Sequence, residues 1–95
     1  MTFNNFEVPL LKRAINRGGL HLYQHDDAML LVGLCKKHNI QVLGIDAFFI
    51  SDGKTHPKME HSIDLSLYSI IEANESAYKF LAERNKLDLV YEIIY

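Results

Sequence analysis

The segment Ile40–Ile50, which reads IQVLGIDAFFI, is apolar on both faces of an extended chain. Its β-branched and aromatic residues favour a β-strand. A strand with two apolar faces must be covered on both sides, so it lies in the centre of a sheet or packs beneath a helix. One face would carry Ile40, Val42, Phe48 and Ile50, and the other Leu43, Ile45, Ala47 and Phe49.

The rest of the chain predicts elements that can cover this strand. Gly18-Gly19 is expected to end a first helix, and Asp26 and Asn74 are expected to cap two others. The predicted order ααββαβ indicates an α+β domain, with helices packed on one face of a small antiparallel sheet of about three strands. The elements are helices over residues 5–17, 27–38 and 74–84 and strands over residues 40–50, 59–67 and 87–95.

Length, charge and cysteine content narrow the class of protein. A chain of 95 residues predicts a single domain over residues 1–95. The formal net charge of −2 argues against a general nucleic-acid binder, which needs a basic excess. Cys35 is the single cysteine and lies in an apolar run, so we expect it in the core without a disulfide. The first residues lack the pattern of a leader, and no apolar run is long enough to span a membrane, so we expect a cytoplasmic protein.

The dipeptide Asp-Gly at residues 52–53 predicts a two-residue hairpin turn after the apolar strand. Continued pairing would set Asp46 opposite Met59 and Gly44 opposite His61, which brings the Asp46 carboxylate close to the His61 imidazole. Two interpretations stay open. The pair could be a functional couple in which the carboxylate holds the tautomer of the imidazole, or a buried polar pair that fixes the strand register.

Other reactive side chains do not form a recognised motif. His21 and His25 are four residues apart, but the glycines before them disfavour a helix there. His56 and His61 are separated by an odd number of residues, so they would face opposite sides of one strand. No set of histidines has a known metal-ligand spacing. We therefore expect no catalytic residue, no cofactor and no metal site.

An acidic stretch runs from Met59 to Tyr78, with four carboxylates and no lysine or arginine. Tyrosines lie within it. Acidic groups beside tyrosine suit binding to a basic protein, because charge steers the encounter and aromatic rings provide buried contacts. A solvated outer face is the alternative interpretation of the same pattern. The residues concerned are Glu60, Asp64, Tyr68, Glu72, Glu75 and Tyr78.

Several segments together resemble the small immunity proteins encoded beside bacterial polymorphic toxins, including those of contact-dependent growth inhibition systems. They are the helix-to-strand segment KKHNIQVLGIDAFFI, the segment HPKMEHSIDLS after the turn, the closing amphipathic helix and the strand DLVYEIIY. The strand VLGID after a helix and a short turn is similar to the immunity protein 40 group. The tryptophan-containing segment that we associate with that group is not found in this chain, which has no tryptophan.

The resemblance implies a bacterial protein that is not an enzyme and that binds one toxin domain, often a nuclease. We expect a one-to-one complex with a basic cognate toxin domain whose active site or substrate-binding groove is occluded. The protein itself would contact neither nucleic acid nor a membrane. In that complex Glu60, Asp64, Glu72 and Glu75 would meet lysine or arginine, and Tyr68 would fill a pocket.

Two alternatives to toxin binding stay open. A small ligand-binding or hydrolytic domain could use Asp46, Glu60, His61 and Asp64, because carboxylates near a histidine can perform acid–base chemistry. A homodimer could form through the strand at residues 87–95, because an unpaired strand edge attracts a second chain.

Overall fold

The computed structural model describes residues 5–95, which form three α-helices, six β-strands and one 3-10 turn. Residues 1–4 lie outside the described part of the chain. The expectation about a leader rests in part on these residues. The helices are α1 (Val8–Leu11), α2 (His25–Lys37) and α3 (Ile70–Ala82). The strands are β1 (Ile15–Arg17), β2 (Leu20–Gln24), β3 (Gly44–Ser51), β4 (Lys54–Pro57), β5 (Ile63–Asp64) and β6 (Val90–Ile94), and the 3-10 turn is Met59–His61.

The strands form one antiparallel sheet in the order β1-β2-β6-β3-β4, with β5 paired to β3 beyond the end of β4. The prediction of about three strands in the order ααββαβ is wrong. The described residues contain six strands in the order αββαβββαβ, although the class is α+β. Of the additional strands, β1 falls within the helix predicted over residues 5–17, whereas β2 and β4 lie between the predicted elements.

The N-terminal segment is a hairpin where a long helix was predicted. α1 is a single turn with Pro9 at its start, and the chain is extended again in β1. Gly18 and Gly19 have φ angles of 56° and 87°, in the left-handed region, and they join β1 to β2. Consecutive glycines supply positive φ for a helix cap and for a hairpin turn alike, so the sequence signal fits both structures.

α2 begins two residues earlier than predicted and ends in a left-handed cap. The predicted cap residue, Asp26, lies inside the first turn, and the residue that does occupy the cap position makes no side-chain hydrogen bond. Asn39 has φ of 57°, and the Ile40 N–H donates to the Cys35 carbonyl at 2.8 Å. This is a Schellman motif. Residues 40–43 follow as irregular backbone, so β3 begins later than the sequence predicted.

The turn at residues 52–53 joins β3 to β4 as predicted, but the register beyond β4 differs. The 3-10 turn Met59–His61 interrupts the pairing before β5 resumes it. Gly44 therefore lies opposite Asp64, three residues beyond the predicted partner His61. Because three is an odd number, side chains after the interruption lie on the faces opposite to those predicted.

Ser62 closes the gap that the 3-10 turn leaves beside β3. Its Oγ accepts a hydrogen bond from the Ala47 N–H at 3.0 Å and donates one to the Lys58 carbonyl at 3.0 Å. The Lys58 N–H donates in turn to the Ala47 carbonyl at 2.8 Å. The Ser62 hydroxyl thus accepts the hydrogen bond of the Ala47 N–H, which would otherwise go to a carbonyl of a paired strand.

α3 begins at Ile70, four residues before the predicted start. Its cap is Ser69, whose Oγ accepts from the Glu72 N–H at 3.2 Å. Asn74, the predicted cap, is buried inside the helix. Its Oδ1 accepts from the Val42 N–H at 2.8 Å, and its Nδ2 donates to the Ile40 carbonyl at 2.9 Å. The asparagine joins α3 to the irregular segment that leads into β3.

α2 and α3 pack together and contribute side chains to the hydrophobic core on one face of the sheet. Alternation along β3 and β6 places Ile45, Ala47, Tyr91 and Ile93 in this core. β6 lies between β2 and β3, so the strand considered as a dimerising edge is paired on both sides. We call the opposite side of the sheet the outer face; it carries Gly44, Asp46, Asp64, Glu92 and Ile94.

Glu7 is a buried acidic residue, with 3% of its surface exposed. The Tyr23 hydroxyl donates to its Oε2 at 2.6 Å, and the Tyr95 hydroxyl donates to its Oε1. Burial, and then the hydrogen bond to Glu7, hold the pKa of Tyr23 far above its ordinary value, so this hydroxyl keeps its proton. The three side chains fasten the segment around α1 to the sheet.

Candidate functional site

An exposed apolar surface covers the outward side of α3 and the loop before it. Solvent reaches 98% of Leu67, 69% of Ile71, 55% of Tyr78 and 49% of Tyr68. Large apolar side chains grouped in this way are typical of surfaces that bind another protein. The α3 surface, as we call it, comprises Leu67, Tyr68, Ile71, Glu72, Glu75 and Tyr78.

Helix geometry aligns the α3 surface. Ile71, Glu75 and Tyr78 follow one another at spacings of four and three residues, so they form a stripe along the outward side of α3. Glu75 and Tyr78 also line a cavity of about 250 Å³ between α3 and α2, which Val32 and Lys36 close on the other side. The surface therefore combines protruding apolar groups with a recess that can accept a partner side chain.

The first turn of α3 fixes Glu72. Ser69 Oγ accepts from the Glu72 N–H at 3.2 Å, which is one half of a capping box, and it donates to Glu72 Oε1 at 2.8 Å. The negative charge of Glu72 also lies at the positive end of the helix dipole. Glu72 is thus a structural residue as well as an exposed carboxylate, whereas Glu75, one turn further along, is exposed without such a bond to Ser69.

A second candidate site is a groove of about 400 Å³ on the outer face, between β3 and the β5 segment. Gly44 forms part of its floor. A Cβ atom at this position would lie 3.1 Å from the Ile63 carbonyl oxygen and 3.7 Å from Ile94 Cδ1, so a larger residue would press on the neighbouring strands. The outer groove, as we call it, is lined by Leu43, Gly44, Asp46, Met59, Ser62, Ile63, Asp64, Ser66 and Ile94.

The outer groove has an acidic rim. Asp46 lies directly opposite Glu92 across β3 and β6. Burial, followed by the Asp46 charge, raises the pKa of Glu92 above its ordinary value, and His21 opposes this shift. The pKa of Asp64 is lowered, because its Oδ1 accepts from the Ser66 N–H at 2.9 Å. Like charges placed across a strand pair are unfavourable unless something neutralises them.

His61 lies away from this groove, and the predicted Asp46–His61 couple is wrong. The imidazole accepts a hydrogen bond from Arg84 Nε at its Nδ1, at 3.3 Å. The Arg84 guanidinium in turn lies 3.6 Å over the Phe80 ring. The 3-10 turn causes the separation, because it moves His61 out of the strand register. His61 and Glu60 line another cavity of about 250 Å³, together with Phe49, Lys58, Leu87, Asp88 and Leu89.

The residues predicted to bind a toxin are divided among three places. Tyr68, Glu72 and Glu75 come together on the α3 surface. Asp64 lines the outer groove, and Glu60 lines the cavity beside His61. The four residues of the alternative ligand-binding hypothesis fall into two separate pairs, Asp46 with Asp64 and Glu60 with His61.

The sequence assigns no interface role to Leu67 or Ile71. Ile71 precedes the helix predicted over residues 74–84. Once α3 is extended back to Ile70, helical spacing places Ile71 in line with the exposed Tyr78. The signal that could have found this start is the S-x-x-E pattern of Ser69 and Glu72.

Other reactive groups give no second centre in the part of the chain that is described. Cys35 is fully buried, and burial, followed by the charge of Glu7, raises the pKa of its thiol to about 12. Among residues 5–95, no three His, Cys, Asp or Glu side chains are grouped so that they could hold a metal ion. None of the described helices is long and apolar enough to cross a membrane.

Comparison of the chain with family models, curated proteins and solved structures gave no match.

Proposed function

We propose that this chain is an immunity protein, which binds a bacterial toxin domain and neutralises it without catalysing a reaction. The observation that carries the proposal is the α3 surface, in which Leu67, Ile71 and Tyr78 are exposed beside carboxylates. The resemblance of the sequence to immunity proteins supplies the class of partner. A cytoplasmic protein that protects its own cell needs such a binding surface and needs no catalytic group.

The proposed mechanism is occlusion of a basic groove. Glu72 and Glu75 attract lysine or arginine side chains that would otherwise contact the phosphates of a nuclease substrate. Ile71 and Tyr78 then become buried and slow dissociation, because aromatic and aliphatic anchors supply most of the binding energy of an interface. The complex is one-to-one and excludes the nucleic acid, which the immunity protein itself does not touch.

The proposed contact is narrower than the acidic face expected from sequence. Glu60 lies in the 3-10 turn and lines a different cavity from the α3 surface. Asp64 lines the outer groove. We therefore leave Glu60 and Asp64 out of the contact and add Leu67, Ile71 and Tyr78 to it. Because Glu60 is an exposed carboxylate away from the α3 surface, it provides a matched control for changes of charge.

The first test is binding to the product of the open reading frame directly upstream, measured by calorimetry with the purified chain. The double variant Ile71→Ser, Tyr78→Ser is expected to bind at least about 100-fold more weakly, a loss of about 3 kcal/mol that is typical of central anchors. Leu30→Ser is the control, because Leu30 is an exposed leucine on α2. A double variant that binds as tightly as the wild type would contradict the α3 surface.

The second test separates charge from apolar contact. Glu75→Lys is expected to slow association by about tenfold at low salt, with a smaller effect at high salt, because charge steers the encounter. Glu60→Lys is expected to leave the association rate nearly unchanged. Growth of cells that express the toxin domain provides the readout of neutralisation. A stable complex in which the toxin stays active would refute the inhibitor proposal while retaining the binding surface.

A further inference from the structure

The outer groove differs from the α3 surface in its shape and its chemistry. It is a concave site of about 400 Å³, within the range of roughly 300–1,000 Å³ that is typical of ligand sites. Its walls are apolar, with Leu43, Met59 and Ile94 all exposed to solvent. Its lining residues include the carboxylates of Asp46 and Asp64 and no lysine, arginine or histidine.

We propose that the outer groove binds an arginine side chain of a partner polypeptide, with an apolar residue of the same segment packed on the groove wall. The charge of the groove determines the choice of occupant. Two carboxylates face an apolar recess that contains no cation, so the complementary ligand is cationic at one end and apolar along its stem. This proposal does not depend on the α3 surface or on the identity of a toxin.

The strand register gives the spacing of the two aspartate positions. Asp64 lies opposite Gly44, and Asp46 lies two residues further along β3 on the same face. Diagonal neighbours of this kind are roughly 7–8 Å apart across an antiparallel pair. A planar guanidinium placed between them can donate to both carboxylates, which a single ammonium point charge does less well.

The rim of the groove fits this occupant. At its floor, the place of a Gly44 Cβ atom lies 3.1 Å from the Ile63 carbonyl oxygen and 3.7 Å from Ile94 Cδ1, so the floor is formed by the strands themselves. Asp64 uses Oδ1 for the Ser66 N–H, and this bond orients the carboxylate in the groove. Glu92 lies beside Asp46 and adds a third negative charge to that end. A bound guanidinium would relieve the repulsion between Asp46 and Glu92.

The test is an NMR titration of the full chain with the peptide acetyl-Leu-Arg-Leu-amide. Saturable shifts are expected for backbone amides at residues 43–46, 62–66 and 92–94. The neutral peptide acetyl-Leu-citrulline-Leu-amide, which has nearly the same shape, is expected to bind about tenfold more weakly, since it lacks the charge-assisted hydrogen bonds. Equal binding of the two peptides would overturn the arginine assignment.

Matched variants locate the site. Asp46→Asn and Asp64→Asn are each expected to weaken binding of the arginine peptide about fivefold, whereas Glu60→Gln changes an exposed carboxylate elsewhere and should leave it unchanged. The spectrum of each variant shows that it is folded. Absence of saturable shifts, or shifts confined to the α3 surface, would refute the outer groove. Neither result bears on toxin binding, which is measured with a different ligand and different variants.

Discussion

Acidic residues on the two sides of the sheet lie in opposite environments. On the core side, Glu7 is buried and accepts hydrogen bonds from Tyr23 and Tyr95. On the outer face, Asp46 and Glu92 are half-buried, and each has the other as its cross-strand partner. The first arrangement satisfies the acidic group within the fold. The second places two like charges side by side, and His21 acts against the effect of Asp46 on Glu92.

Asn74 extends the comparison to an uncharged side chain. Like Glu7 it is buried, and its two hydrogen bonds go to the backbone of Val42 and Ile40. Both residues connect segments that are far apart in sequence, and both have defined donors or acceptors. The difference from the outer face indicates that the fully buried polar groups here maintain the fold, whereas the half-buried carboxylates of Asp46 and Glu92 face each other.

The largest effect is expected for Glu7→Ala. Removal of the carboxyl group leaves the hydroxyls of Tyr23 and Tyr95 without their acceptor and opens a cavity. The free energy of unfolding should fall by about 3 kcal/mol, measured by urea denaturation. Val8→Ala, at an exposed neighbouring position, should change it by less than about 0.5 kcal/mol.

A triple variant distinguishes lost hydrogen bonds from lost volume at this position. Glu7→Leu combined with Tyr23→Phe and Tyr95→Phe removes the donors together with the acceptor. It should recover most of the stability that Glu7→Ala loses, because apolar replacement of both partners is nearly neutral. If the triple variant is less stable than Glu7→Ala, the hydrogen bonds do not determine the role of Glu7. The contrast between Glu7 on the core side and the carboxylates of the outer face would then be wrong.

A smaller loss is expected for Asn74→Ala. The Val42 N–H would lose its acceptor in a buried position, and the Ile40 carbonyl would lose a donor. The free energy of unfolding should fall by about 2 kcal/mol in thermal or chemical denaturation. Lys79→Ala on the exposed side of the same helix is the control. Equal losses in the two variants would show that the buried amide does not explain the change, because alanine has the highest helix propensity and causes no loss by itself.

The smallest effect has the opposite sign. Glu92→Gln removes one of two negative charges that face each other across β3 and β6. The free energy of unfolding at neutral pH should therefore rise by about 0.5 kcal/mol. Asp46→Asn should give a similar gain, and the double variant should gain less than the sum of the two. Full additivity would mean that the carboxylates do not interact.

The pH dependence of this gain follows from the raised pKa of Glu92. The folded chain holds the Glu92 proton to a higher pH than the unfolded chain does, because the pKa of Glu92 is raised above its ordinary value of 4.5 by folding. Between 4.5 and the raised value, the folded state binds more protons, so the contribution of Glu92 to stability falls as pH rises. The gain from Glu92→Gln should therefore be small below this window and complete above it, measured by denaturation at each pH.

The sequence predicted those elements whose structure depends on residues close together in the chain. α2, the turn at residues 52–53 and the body of α3 follow from helical spacing and turn chemistry, apart from their ends. The interruption at Met59–His61 could not be predicted, because the alternation of apolar and polar residues continues through it. Its stability depends on the Ser62 hydroxyl reaching Ala47 in another strand, which is a tertiary contact.

The candidate sites were less predictable than the fold for the same reason. Tyr68, Glu72 and Glu75 lie close together in sequence and come together on the α3 surface. The Asp46–His61 prediction depended on an uninterrupted hairpin, and three inserted residues moved His61 away. The outer groove joins residues from β3, β5 and β6, so its acidic rim becomes visible once the strand order is known.

The position of β6 in the sheet affects how this chain reaches its native state. β6 separates β2 from β3, so these strands have no common partner until residues 90–94 have been synthesised and inserted. The hairpins and helices can therefore form early, but closure of the sheet waits for β6, the last of the described strands. Such pairing between distant parts of the chain slows folding and leaves two unpaired strand edges in the nascent protein. A ribosome-stalled chain that ends before Val90 would thus be a target for chaperones and proteases.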